Sequence, residues 1–174
     1  ALLLSQMLTR TIFDPIVSQC FLSKAIIVYG PRQVGKTTLL RQIAEHFDDR
    51  KILSVTWDDQ DVQQMYTPSL YTLSKLVKWY DIVMIDEAQR IHNIWLVLKL
   101  LVDHFPEKQF IATGSSSFDL ANAISEPLTG RAYIHRLYPL SLQETLTQNI
   151  IPKSLIQHRL VYGSYPELIV NNHI

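Results

Sequence analysis

Residues 30 to 37 read Gly-Pro-Arg-Gln-Val-Gly-Lys-Thr and fit the pattern G-x-x-x-x-G-K-[ST] at every position. Few octapeptides constrain a chain more, because this one needs a strand before it and a helix after it. Ala25–Tyr29 supplies an apolar run suited to a strand buried on both faces. From Gly35 to Phe47, Leu39, Leu40, Ile43, Ala44 and Phe47 fall on one helical stripe, with Arg41, Gln42, Glu45 and His46 largely outside it.

Each residue type in the loop has a mechanical role. Gly30 and Gly35 let the backbone curl through Pro31 so that the amides of Arg32, Gln33 and Val34 face a polyphosphate. The helix then adds its positive end through Gly35, Lys36, Thr37 and Thr38. Lys36 is placed to reach β- and γ-phosphates, and the Thr37 hydroxyl to ligate magnesium. A chance match at average composition arises in on the order of one chain in a hundred, before the flanking strand and helix are required.

Ile82-Val83-Met84-Ile85-Asp86-Glu87 places two acids after four apolar residues. Such a strand delivers its acids at the carboxyl end, beside the phosphate loop. Asp86 is expected to hold magnesium and Glu87 to polarise an attacking water. Adjacent strand residues point to opposite sides, so the two acids do different work.

Further strands are expected at Lys51–Trp57, Asp81–Ile85, Gln109–Thr113 and Ala132–Leu137. Helices are expected to start at Asp14-Pro15 and to span Ser69–Tyr80, Asn93–Phe105, Ser141–Asn149 and Lys153–Tyr162. Alternation of strand and helix implies an α/β fold with a parallel sheet covered on both faces. The domain reading is an N-terminal helical segment (1–24), a core (25–140) and a helical extension (141–174) leading to a missing C-terminal domain. Ala1 without an initiator Met, and an end at Asn171-Asn172-His173-Ile174 with no closing element, read as a chain cut from a longer protein.

Thr113-Gly114-Ser115 ends the fourth strand, and Ser115, then Thr113, is the candidate to contact the water or γ-phosphate. Ser115–Ser117 also suit a helix cap ahead of Phe118 and Leu120. Phosphoryl transfer calls for a further cation. Arg131 is first choice, acting on its own or a neighbouring subunit's nucleotide, with Arg32 and Arg90 as rivals. Six histidines without metal spacing argue against zinc. Trp57, Trp79 and Trp95 read as packing residues rather than a base-stacking platform.

Lys+Arg and Asp+Glu both number 16, so there is no electrostatic case for nucleic acid. The sole cysteine, Cys20, reads as a buried apolar residue in an intracellular, cytoplasmic protein. No run is long enough to span a membrane.

GPRQVGKTTLL (30–40), IDEAQR (85–90), ATGSSS (112–117), LTGRA (128–132) and YPLSLQE (138–144), in this order, resemble the predicted archaeal and bacterial AAA-type P-loop ATPases that carry an uncharacterised C-terminal domain. The likeness runs from about residue 10 to the end, where YGSYPE (162–167) departs from the more usual second Gly and Phe. It implies a three-layer sandwich with a five-stranded parallel sheet, ATP rather than GTP, and Mg2+. It further implies a strand between the acidic and phosphate-loop strands. The leading function is an ATPase coupling hydrolysis to movement of its own C-terminal domain or a partner, with a homo-oligomer left open. The alternatives are a nucleotide switch with little intrinsic turnover and, behind it, a small-molecule kinase using Asp58 and Asp59.

Overall fold

The computed structural model describes residues 8, 10–56, 70–91, 93–115, 128–145 and 153–167. Its elements alternate as the hydrophobic pattern demands. They are α1 (Phe13–Gln19), β1 (Ala25–Gly30), α2 (Lys36–His46), β2 (Ile52–Thr56), α3 (Leu70–Val77), β3 (Ile82–Asp86), α4 (Ile94–His104), β4 (Gln109–Ser115), β5 (Ala132–Arg136), α5 (Leu142–Thr145) and α6 (Lys153–Tyr162). A 3-10 turn at Ala88–Arg90 follows β3.

The five strands form one sheet in the order β2-β3-β4-β1-β5, and every pairing is parallel. Because side chains alternate across a strand, the sheet divides the core in two. Ile26, Val28, Ile82, Met84 and Ile111 face α1 and α2, packing on Ile16, Leu39, Leu40 and Ile43. Ala25, Ile27, Val83, Ile85 and Phe110 face the other way, onto Val77 of α3 and Val97, Leu98 and Leu101 of α4. All five residues of β3 and all seven of β4 are buried, which is why both read as continuous apolar runs rather than alternating ones.

The expected α/β three-layer sandwich is therefore present, with β4 between the phosphate-loop strand β1 and the acidic strand β3. Three local expectations are corrected. The first helix starts at Phe13 rather than at Asp14, with Ile12 at the cap and Asp14 in the first turn. Trp79 is 67% exposed rather than packed, with Lys78 Nζ lying over its ring at 4.9 Å from the centroid. Glu87 is not on a strand at all, since β3 ends at Asp86 and Glu87 turns the chain at φ +53°.

Trp57, the polar stretch 58–68 with Asp58 and Asp59, His92, Ser116, Ser117, Phe118, Leu120, Pro127, residues 146–149 of the helix expected at 141–149, and His173 lie outside the described residues. Cys20 is buried, and burial pushes its thiol up to about 11, so it behaves as an apolar residue. Among the described residues, no helix is long and apolar enough to cross a membrane.

Candidate functional site

The carboxyl ends of β1, β3 and β4 meet at one point, fixed by register: Gly30 pairs with Ser115, and Ile85 with Ala112. At that edge the chain leaves β1 and curls through Pro31–Gly35 into α2. Gln33 (φ +62°) and Gly35 (φ +97°) both take left-handed backbone conformations, which turn the loop back on itself. Val34 is fully buried beneath it and pins the curl to the core. Gly30 is required for a separate reason. A Cβ there would lie 2.2 Å from the Leu137 carbonyl oxygen.

Lys36, only 5% exposed, opens α2 and folds back over the loop. Its ammonium donates to the carbonyls of Gly30 (3.1 Å) and Pro31 (2.8 Å). Burial lowers its pKa from the ordinary lysine value, opposed by the charges of Glu87 and Asp86 and reinforced by Arg32. One residue on, the Thr37 hydroxyl donates to Asp86 Oδ2 at 2.6 Å. Thr113 donates to Asp86 Oδ1 from β4. The parity of the strands explains this convergence: Asp86 and Thr113 project to the α2 face, like Met84 and Ile111 before them. Thr37 and Asp86 thus present an oxygen pair of the kind hard divalent cations take.

Glu87 begins the turn beyond β3. Its amide donates to Asp86 Oδ1 at 3.0 Å and to Thr113 Oγ1 at 3.4 Å. Its carboxylate accepts from Gln89 Nε2, and Gln89 Oε1 accepts from the Ser115 amide at 3.3 Å. The structure therefore gathers Gly30, Pro31, Lys36, Thr37, Asp86, Glu87, Thr113 and Ser115 at one edge. Arg32 and Gln33 are exposed on the loop, Thr38 is half-buried in the first turn of α2, and Arg90 is exposed at the end of the 3-10 turn.

Arg131 does not join them. Its carbonyl accepts from the Ala25 amide, at the start of β1, while the loop leaves β1 at Gly30. Five strand rises separate the two ends, about 17 Å. Its guanidinium pairs instead with Asp103 at 2.6 Å. The structure thus does not bring Arg131 to this chain's own loop. The sequence placed it correctly before the fifth strand, but a parallel strand starts at the end of the sheet away from the loop.

Four residues at the site escaped the sequence reading. Arg10 is 7% exposed; it donates to the Val34 carbonyl at 2.8 Å and pairs with Glu144 at 3.0 Å. Glu144 also accepts from the amides of Thr11 and Ser141, both at 2.8 Å, and its own amide donates to Ser141 Oγ at 3.2 Å. Ser141-Leu142-Gln143-Glu144 is a capping box, a signal visible in the sequence. Burial pushes the Glu144 carboxyl up, but the amides of Ser141 and Thr11 and the Arg10 guanidinium outweigh it and bring it down to about 2. Gln42 and Gln89 complete the set; nothing in their spacing marks a lone amide side chain.

Beside the first turns of α2 lies an open, mainly apolar groove lined by Leu8, Arg10, Gly35, Thr38, Leu39, Gln42, Leu140 and Pro166. Gln42 Nε2 donates to the Leu8 carbonyl at 3.1 Å, and its Oε1 is buried without a partner.

Residues 22–146 match the AAA domain family. The chain is 35% identical over 123 residues to the uncharacterized protein Rv2008c of Mycobacterium tuberculosis, covering 68% of this chain and 26% of that protein. It is 32% identical over 161 residues to the uncharacterized protein MJ1637 of Methanocaldococcus jannaschii, covering 86% and 32%. It thus spans about a quarter to a third of these relatives. Among solved structures, AMPPCP-bound DnaA from Aquifex aeolicus superposes with a TM-score of 0.61 at 16% identity, over 91% of this chain and 56% of that one.

Proposed function

The chain belongs to the AAA domain family, and on that premise we propose that it binds Mg-ATP and hydrolyses it, coupling the reaction to movement of an attached domain or partner. The observation that carries the proposal is the convergence of the curled loop, Lys36, the Thr37–Asp86 pair and Glu87 at one sheet edge. The AMPPCP bound by DnaA, a protein of the same fold, agrees with a triphosphate as ligand.

In this reading the loop and the first turn of α2 hold the phosphates through backbone amides and the helix's positive end. Lys36 leaves the Gly30 and Pro31 carbonyls for phosphate oxygens. Thr37 and Asp86 would hold magnesium, which would offset phosphate charge. Glu87 accepts a proton from the attacking water, and Ser115, with Thr113, lines the end of β4 beside it. The groove along α2 takes the base. Gln42 Oε1 is an acceptor without a partner, and the 6-amino group of adenine is a donor of the kind it lacks.

A second reading, a switch with little turnover of its own, draws on Arg131. Paired with Asp103 at the far end of the sheet, it serves catalysis only from a neighbouring copy. Magnesium-dependent phosphate release separates the readings. Wild type releasing phosphate, with Lys36→Ala and Glu87→Gln reduced by about 100-fold or more, supports hydrolysis. Equal rates in all three proteins would remove it, and tight binding without turnover favours the switch.

A further inference from the structure

Glu87 is placed by more than its own backbone. A carboxylate on a turn, with three rotatable bonds, needs an anchor to face a water in one orientation. We propose that Gln89 is that anchor: a positioning residue that holds the Glu87 carboxylate and ties it to the end of β4. The inference rests on the hydrolytic reading above.

The geometry is specific to a carboxamide. Gln89 Nε2 donates to Glu87 Oε2 while Gln89 Oε1 accepts from the Ser115 amide at 3.3 Å. Only a group with a donor and an acceptor on one rigid plane does both at once. A glutamate would repel Glu87, an arginine would have nothing to offer the amide, and an asparagine is one methylene short. The turn itself is well held. Ala88 is fully buried, Arg90 N donates to the Glu87 carbonyl at 3.0 Å, and Ile91 N to the Ala88 carbonyl at 3.0 Å.

Gln89 also explains how the carboxylate resists its other attraction. Lys36 feels the charge of Glu87, so without an anchor the acid is drawn toward the ammonium. With Oε2 held by Gln89, Oε1 is left for water. The far end of the amide is fastened at Ser115, which pairs in register with Gly30, the first residue of the loop. A shift at the phosphate edge therefore reaches the general base through one side chain.

The test is a double-mutant cycle on the full chain, using single-turnover phosphate release from Mg-ATP and a separate Kd for a fluorescent ATP analogue. Gln89→Ala is expected to slow release by about 10- to 100-fold with the Kd within about twofold of wild type. Gln89→Glu, which keeps the shape and the acceptor for the Ser115 amide, is expected to slow release at least as much. In a Glu87→Gln background Gln89→Ala is expected to cost nothing further, since its only effect passes through that carboxylate. Wild-type turnover with Gln89→Ala at full rate, with parallel loss of binding, or with a loss that multiplies that of Glu87→Gln overturns the role of Gln89 alone. A wild-type chain that releases no phosphate overturns the hydrolytic reading and this role with it.

Discussion

The Thr37 hydroxyl donates to Asp86 Oδ2 at 2.6 Å, joining the first turn of α2 to the end of β3 across the intervening β4. Asp86 keeps a second donor in Thr113, so losing Thr37 does not orphan the carboxylate. Thr37→Ala should therefore cost about 1 kcal/mol or less in folding stability. Its effect on nucleotide binding should be larger and conditional. With EDTA present, wild type and Thr37→Ala should bind ATP alike, whereas with magnesium only wild type should gain affinity. Titrations in both conditions check this, and an equal magnesium effect in the two proteins would count against Thr37 as a ligand.

Glu87 sits at φ +53°, where side chains other than glycine are strained. Glycine is free of that strain, so Glu87→Gly should be more stable than Glu87→Ala by about 1 kcal/mol, despite the greater chain entropy glycine brings to the unfolded state. Both variants should lose hydrolysis. Thermal melts of the pair without nucleotide decide it, and a Glu87→Ala protein that melts at or above Glu87→Gly would show that the turn carries no strain.

Much of this edge was legible in the sequence because it is local. The loop pattern, the strand before it and the acids after Ile85 each lie within about ten residues, and hydrophobic periodicity fixes which side they face. What escaped depends on contacts between distant segments. Arg10 meets Glu144 across 134 positions, and neither carries a mark of the other. Arg131 lies away from this chain's own loop for a topological reason: it precedes β5, and a parallel strand starts at the end of the sheet opposite the one where β1 enters the loop. Glu87 was read as the next residue of a strand, although a left-handed turn is what frees it to face Gln89.

Gln42 Oε1 is a buried acceptor with no partner, while its amide nitrogen is committed to the Leu8 carbonyl. A buried unpaired acceptor is costly, and a ligand donor removes that cost. If the 6-amino group of adenine meets this acceptor, ATP should be preferred to GTP, whose base carries a carbonyl at that position, and Gln42→Leu should erode the preference about tenfold. Competition binding of ATP and GTP reads the ratio directly. A ratio unchanged by Gln42→Leu would place base selection elsewhere.

Glu144 offers a pH-dependent readout of the tie between the N-terminal segment and α5. Its side chain is 3% exposed and its carboxyl is brought from the ordinary 4.5 down to about 2. A carboxyl lowered on folding stabilises the folded chain above its unfolded value, and that stability drains away as pH falls from about 4.5 through about 2. The full effect is on the order of 3 kcal/mol. Glu144→Gln should therefore be less stable than wild type at pH 7, and the gap should narrow steadily below about pH 4.5. Arg10→Met should shrink the same gap from the other side, because it removes the cation but leaves the two amides in place. Denaturant melts of the three proteins from pH 7 to pH 3 test the pairing. A constant difference between wild type and Glu144→Gln across that range would mean that the ion pair does not hold the two segments together in solution.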